Sequence, residues 1–105
     1  LGGGDPTALV DAAFAGAPDA RYRTYAVAAG AELAVVAGLP DAADRLTAAA
    51  PAGSVNAWAA ACLLRAAGRL HGDGQALAAA VDAWQRIGAR FERTVTLRLL
   101  AATGR

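Results

Sequence analysis

The residue types that this sequence lacks already exclude several kinds of protein. Lysine and methionine are absent from the 105 residues, and cysteine and histidine occur once each. Without lysine there is no Gly-x-x-x-x-Gly-Lys-Ser/Thr nucleotide-binding loop, and the single Cys62 cannot form an internal disulfide. Ten basic and nine acidic residues give a net charge of +1. That charge creates no field strong enough to favour nucleic acid or an anionic membrane as a partner.

Segments that would direct the chain to a membrane are also absent from the sequence. No stretch has the charged-then-apolar order of a signal peptide. The uncharged run Leu46–Leu64 is interrupted by Pro51 and Gly53 and is otherwise dominated by alanine, so it does not have the character of a membrane span. We therefore predict a cytoplasmic location and no membrane partner.

Alanine, in contrast, occupies nearly a third of all positions. It favours helices because it loses no side-chain entropy on becoming helical. It also buries little area, so the core must depend on a few large side chains. The candidates are Phe14, Tyr22, Tyr25, Trp58, Trp84 and Phe91.

Three glycines mark an internal repeat. Gly4, Gly38 and Gly72 follow one another at intervals of 34 residues, which is the period of helix-turn-helix arrays of the tetratricopeptide kind. We therefore predict one all-α domain over residues 1–105, a tetratricopeptide-like array of about six antiparallel helices forming an α-α superhelix. Because the chain has no methionine and its last helix runs almost to Arg105, we expect it to be a fragment of a longer chain.

Cap and stop residues divide the chain into six predicted helices. The first is capped by Asp5, has Pro6 at its first position and ends at residues 16–18. The second runs Ala20–Ala37 and ends at Gly38, and the third starts at Asp41 and ends at Ala50, before the break Pro51-Ala52-Gly53. Ser54 caps the fourth, which extends to about Leu70 and ends at His71-Gly72, and Asp73 caps the fifth. Ile87-Gly88-Ala89 then turns the chain into the sixth, from Arg90 to about Thr103. One continuous helix over residues 75–101 is the alternative, because Trp84-x-x-Ile87-Gly88-x-x-Phe91 also matches the Trp-x-x-Leu-Gly-x-x-Tyr run inside a tetratricopeptide helix. We favour the break at Gly88.

The spacing of apolar residues predicts which face of each helix is buried. On the second helix the inward stripe is Tyr22, Ala26, Ala29, Leu33 and Val36. On the sixth helix it is Phe91, Val95, Leu99 and Ala102. On the fourth helix we expect Trp58 and Cys62 to face inward and Arg65 and Arg69 to lie in solvent.

Two segments and the period carry a resemblance to a known family. They are Leu70-His71-Gly72-Asp73-x-x-Ala76-Leu77 and Ala83-Trp84-x-x-Ile87-Gly88-Ala89-Arg90-Phe91-Glu92-Arg93. With them the chain resembles the tetratricopeptide-like helical domains of large bacterial ATP-dependent regulators of the LuxR type and of related multidomain signalling proteins. The resemblance implies an all-helical sensor or scaffold between an ATP-binding module and an output module such as a DNA-binding domain. The sequence contains neither module, and Leu39-Pro40 replaces Asp-x after Gly38, so only the architecture and a role in making contacts carry over.

Three arginines cluster around the Gly88 turn. Arg86, Arg90 and Arg93 could bind an anion or a nucleic acid, but Asp82 and Glu92 offset part of their charge. We expect a solvated face, and therefore no nucleic acid bound by this segment.

Two other sets of residues are candidate partner contacts. Tyr22 and Tyr25, with Arg21 and Arg23, could line a concave surface of the kind on which repeat proteins bind peptides; aromatic anchors of the core are the alternative. Leu97 and Leu100 make the back of the sixth helix apolar as well. That face predicts contact with a neighbouring repeat of the parent chain or with a second copy.

No convergent set of residues indicates catalysis. His71 with Asp73 is the only pair that suggests metal or acid-base chemistry, and a metal site needs three or four converging ligands. We expect a histidine near a helix C-terminus beside an aspartate cap. Cys62 has no imidazole at helical spacing, so we expect a small buried hydrophobe and not a nucleophile. We predict no enzymatic activity, no cofactor and no metal site.

The sequence therefore favours a non-catalytic scaffold or interaction segment of a bacterial regulatory protein, acting through protein-protein or interdomain contacts. A small-molecule effector sensor of a transcriptional regulator is the first alternative, and a deep pocket lined by Tyr22, Tyr25 or Trp58 would favour it. A nucleic-acid-binding helical domain is the second, and it predicts arginines gathered on one face.

Overall fold

The architecture is an array of six helices. The computed structural model describes residues 5–15 and 19–103, and within them there is no β-strand. The helices are α1 (Pro6–Phe14), α2 (Ala20–Val36), α3 (Ala42–Val55), α4 (Ala57–His71), α5 (Gly74–Arg86) and α6 (Arg90–Thr103). No helix in the described part of the chain is both long enough and apolar enough to cross a membrane. The prediction of an all-α helical array is confirmed.

Aspartate caps and glycine stops account for five of the twelve helix ends. The Asp5 carboxylate accepts a hydrogen bond from the Thr7 backbone N–H (3.0 Å), and the Asp73 carboxylate accepts one from that of Gln75 (2.9 Å). Gly38, Gly72 and Gly88 follow α2, α4 and α5 with φ values of 68°, 62° and 75°, a left-handed conformation that residues with a Cβ rarely adopt. The predicted break at Gly88 is confirmed. Gly4 and the stop at residues 16–18 lie outside the described residues.

The prediction of a break at Pro51-Ala52-Gly53 is wrong. Helix α3 continues through Pro51 to Val55, and Asn56, not Ser54, caps α4 by accepting a hydrogen bond from the Ala59 backbone N–H at 2.9 Å. Proline removes one N–H donor and disfavours a helix interior. Ala49 and Ala52 are buried on either side of it, and we infer that their packing outweighs the local cost of the proline.

Each helix packs against those close to it in sequence. α2 contacts α1, α3 and α4; α4 also contacts α3 and α5; and α6 contacts α5. The repeat is visible in the core, where Ala28, Cys62 and Thr96 follow one another at intervals of 34 residues on α2, α4 and α6 and are all fully buried. The largest fully buried side chains are those of Trp84 and Leu77 on α5.

The orientation predicted for α2 is wrong. Its buried residues are Ala28, Gly30, Ala31 and Ala34, whereas Tyr22 and Val36 from the predicted inward stripe are 64% and 54% exposed. Small residues allow neighbouring helices to approach closely: a Cβ at Gly30 would lie 2.7 Å from the Cβ of Ala13 on α1. Close packing therefore selects the alanine and glycine face of α2 and leaves its larger apolar side chains outside.

Two other predicted anchors are also misplaced. Phe91 on α6 is 76% exposed and Tyr25 is exposed as well, whereas Thr96 is fully buried on the face of α6 that turns inward. Leu99 and Leu100 are half-buried. The inward stripe of α6 is therefore centred on Thr96, whose hydroxyl donates to the Glu92 backbone carbonyl of the same helix at 2.7 Å and accepts a hydrogen bond from Arg65 on α4.

Candidate functional site

Two neighbouring clefts form a continuous groove on one side of the array. The first, of about 400 Å³, lies between α1 and α2 and is lined by Leu9, Ala12, Ala13, Tyr22, Ala26, Ala29, Gly30 and Leu33. The second, of about 300 Å³, lies among α2, α4 and α6 and is lined by Ala29, Glu32, Leu33, Val36, Arg65, Arg69 and Val95. Because Ala29 and Leu33 line both, the two clefts form one surface, which we call the α2 groove.

The wall of the α2 groove is mainly apolar. Leu9, Tyr22 and Val36 project from it and are exposed. Isolated apolar residues are common on protein surfaces, whereas large contiguous apolar patches are less common and are the kind of surface on which partners bind. Arg69 is the exposed cation of this surface, and it forms no ion pair within residues 5–15 and 19–103.

A buried arginine forms the floor of the second cleft. Arg65 donates from Nε and Nη2 to the two carboxylate oxygens of Glu32, at 2.6 and 2.9 Å. Its Nη1 donates to Glu92 Oε1 at 2.7 Å and lies 3.3 Å from the Thr96 hydroxyl oxygen. The guanidinium carbon lies 5.0 Å from the centre of the Trp84 ring. One side chain on α4 thus joins α2, α5 and α6.

Charge pairing keeps Arg65 ionised although it is buried. Burial by itself lowers the pKa of Arg65, but hydrogen bonds and charge from Glu32, and then from Glu92, outweigh it, so that pKa is raised and Arg65 remains a cation.

Burial, and next the negative charge of Glu32, raises the pKa of the Cys62 thiol far above its ordinary value. Thiolate is the reactive form of cysteine, so Cys62 is a poor nucleophile, and its prediction as a buried residue is confirmed.

The structure separates the predicted contact residues. Tyr22 lines the α2 groove, but Tyr25 packs against Trp58, with ring centroids 5.5 Å apart. Leu97, on the back of α6, is 37% exposed, and Leu100 is half-buried near the start of α5, where its Cδ1 would lie 3.8 Å from a Cβ at Gly74. The apolar face predicted for these two leucines is therefore only partly open.

The three predicted arginines lie near the turn between α5 and α6. Arg90 and Arg93 line a further cleft of about 260 Å³ together with Trp84, Gln85, Gly88 and Ala89. Arg86 is exposed beside it and is not part of its wall. No group of three or more His, Cys, Asp or Glu side chains that could hold a metal ion occurs in the described ranges.

Sequence reasoning missed Arg65 and Glu32, because single charged residues at helical spacing were expected in solvent. The repeat contained a signal for both of them. Arg65 comes 34 residues after Ala31 and 34 before Leu99, two apolar residues, so alignment of the repeats places Arg65 on a buried face. Glu32 likewise comes 34 residues before Ala66 and 68 before Leu100, two apolar residues, so the same alignment places it on an inward face.

The chain matches none of the protein-family models, curated proteins and solved structures with which it was compared.

Proposed function

We propose that this chain is a non-catalytic helical scaffold that binds a segment of a partner protein in the α2 groove. The observation that carries this proposal is the orientation of α2, which buries its alanines and exposes Tyr22, Val36 and part of Leu33. A helix at the surface of a globular protein normally turns its larger apolar residues inward. Without a partner these side chains stay in contact with water. A bound segment would bury them and gain the free energy of that burial.

The expected segment is apolar and carries a carboxylate. The groove offers apolar walls from α1 and α2, and Arg69, which forms no ion pair in the part of the chain that the structure describes, supplies a positive charge at its edge. Arg65 attracts no further anion because Glu32 and Glu92 already neutralise it. An amphipathic helix with apolar residues at i, i+3 and i+4 and an acidic residue on its flank has this chemistry.

The parent protein is proposed from the sequence resemblance. The 34-residue interval is preserved structurally by Ala28, Cys62 and Thr96, which supports a repeat scaffold of the tetratricopeptide kind. We accordingly place the chain in a cytoplasmic bacterial regulatory protein of the LuxR type, with the bound segment supplied by another protein or another domain of that protein.

A peptide-display selection tests the groove. The chain is immobilised, random peptides are selected on phage, and the enriched sequences are synthesised for titration. We expect peptides with helically spaced apolar residues and an Asp or Glu. Substitution Leu33→Gln is expected to weaken their binding about tenfold or more, because Leu33 lies where the two clefts meet.

Val55→Gln is the matched control, since Val55 is a strongly exposed apolar residue on α3 outside the groove. It should leave the affinity unchanged, and circular dichroism should show that both variants fold. Peptides that bind the Leu33→Gln variant as tightly as the unmodified chain would refute the groove as the binding site. Failure to enrich any peptide would also count against the proposal.

A small apolar effector is the second candidate. The α1–α2 cleft alone, at about 400 Å³, falls within the range of small-molecule sites. Tyr22 lines it, but Tyr25 and Trp58 pack against each other and do not. This candidate predicts that small apolar molecules raise the melting temperature of the chain and that Val36→Gln, in the other cleft, leaves that rise unchanged.

A further inference from the structure

The cleft at the α5–α6 turn is distinct from the α2 groove. Its lining residues, Trp84, Gln85, Gly88, Ala89, Arg90 and Arg93, include none of those that line the groove. Its volume of about 260 Å³ is less than that of either cleft of the α2 groove. Its wall includes the side-chain N–H donors of Trp84, Gln85, Arg90 and Arg93 and no carboxylate.

Two of those donors have no acceptor. Trp84 is fully buried, and its indole Nε1–H has no hydrogen-bond partner among the described residues. The Nε–H of Arg93, a residue of α6 that also lines the cleft, is likewise buried without a partner in that part of the chain. Buried polar groups are nearly always paired in native proteins, so two unpaired donors at one cleft indicate a missing acceptor.

The start of α6 adds further donors and positive charge. Ala89 precedes the helix and has no side-chain acceptor, so the backbone N–H groups of Phe91 and Glu92 have no cap there. The N-terminus of a helix carries partial positive charge, which disfavours cations nearby. Arg90 and Arg93 nevertheless occupy the first turns of α6.

The carboxylates of the described residues form no ion pair with these arginines. Glu92 is paired with Arg65, and none of the ion pairs within the described ranges includes Arg86, Arg90 or Arg93. An uncapped helix start, two unpaired buried donors and a local excess of cations thus coincide. The missing cap and the cations in the first turns both disfavour this helix start, and such departures from local preference are typical of ligand-binding sites.

We propose that this cleft binds a small oxyanion of the phosphate class. The oxyanion would accept hydrogen bonds from the guanidinium groups of Arg90 and Arg93, from the first N–H groups of α6 and from Trp84 Nε1. The two unpaired atoms are shielded from solvent, so we expect them to reach the anion only after a side chain that lines the cleft moves. Free phosphate and a phosphate ester share this chemistry.

Titration followed by NMR tests the proposal through the tryptophan indole N–H signals. The chain contains two tryptophans, and Trp58→Phe assigns the two signals. Inorganic phosphate is expected to shift the Trp84 indole signal downfield in a saturable manner, whereas chloride at matched ionic strength leaves it in place. The Trp58 signal is the internal control, since Trp58 does not line the cleft. A second titration with phosphoserine shows whether an ester binds more tightly than the free ion.

Arginine variants distinguish a site from general charge screening. Arg90→Gln and Arg93→Gln are each expected to weaken phosphate binding about tenfold, while Arg98→Gln, an exposed arginine of the same helix outside the cleft, should leave it unchanged. Arg90 is itself exposed, so its replacement tests the site without disturbing the core. Equal shifts with chloride, no shift with either phosphate compound, or equal losses in all three variants would overturn the proposal. None of these results depends on whether the α2 groove binds a peptide.

Discussion

Arg65 shows how one side chain can fix the relative positions of several helices. Its guanidinium group bonds to Glu32 on α2 and to Glu92 on α6 and lies over the ring of Trp84 on α5. A buried ion pair contributes little net stability compared with apolar residues of the same shape. Its geometry is specific, however, because each carboxylate must meet a particular edge of the guanidinium group. We infer that Arg65 sets the register of α2 and α6 against α4.

Replacement of Arg65 tests this role. Arg65→Met keeps a long apolar stem but leaves Glu32 and Glu92 facing each other without a cation. We expect the free energy of unfolding to fall by about 3 kcal/mol, because removing one partner of a buried pair leaves uncompensated charge. Urea denaturation followed by circular dichroism measures the change.

Arg69→Met is the matched control, since Arg69 lies one turn further along α4 and is exposed without an ion pair. It should change stability by less than about 0.5 kcal/mol. The triple variant Arg65→Met, Glu32→Leu, Glu92→Leu should recover most of the loss, because no buried charge then remains. Equal effects of Arg65→Met and Arg69→Met would show that the cluster contributes no more than a surface arginine.

At the scale of the helices, the ends were easier to predict than the buried faces. Gly38, Gly72 and Gly88 end helices because their φ values disfavour other residues, and this is a local property that sequence records. The buried face of α2 was not predictable in this way. Alanine occurs on every side of that helix, so apolar periodicity gives little information. Which face of α2 is buried depends on which face lets α1, α3 and α4 approach closely. That depends on how all four helices pack together.

Close approach between α4 and α5 is tested at Gly68. A Cβ at this position would lie 2.6 Å from Leu77 Cγ and 3.2 Å from the Asp73 carbonyl oxygen. Leu77 is fully buried and cannot move aside freely. We expect Gly68→Ala to lower the free energy of unfolding by about 2 kcal/mol, as overpacking does in other cores, in thermal or urea denaturation.

Gly53→Ala on α3 provides the comparison for Gly68→Ala. The nearest atom to a Cβ at Gly53 would be the Ala60 Cα at 3.4 Å, which is ordinary contact. Alanine should therefore be accommodated and should stabilise the helix by about 0.5 to 1 kcal/mol. If both substitutions stabilise the chain, α4 and α5 are not packed as closely as the structure shows.

At the scale of the whole molecule, the repeat was predictable and the candidate site was mostly not. The 34-residue interval correctly indicated an array, because similar hairpins need similar corners. Among the residues of the α2 groove, Tyr22 was predicted to contact a partner, but Ala26, Ala29 and Leu33 beside it were predicted to face the core. The position of Glu32 depends on an arginine 33 residues away, and no local pattern in the sequence records such a pairing.

Helices in an array that contact only nearby helices should differ in local stability. α4 contacts α2, α3 and α5 and contains Cys62 and Arg65, both buried. α1 has nine residues, packs mainly against α2 and buries only Val10 fully. We therefore expect native-state hydrogen exchange, followed by NMR, to show the slowest amides in α4 and the fastest helical amides in α1. Their apparent opening free energies should differ by more than about 1 kcal/mol. Amides of α1 and α4 that open with the same free energy would show instead that the chain unfolds as one cooperative unit and that the array has no separately stable parts.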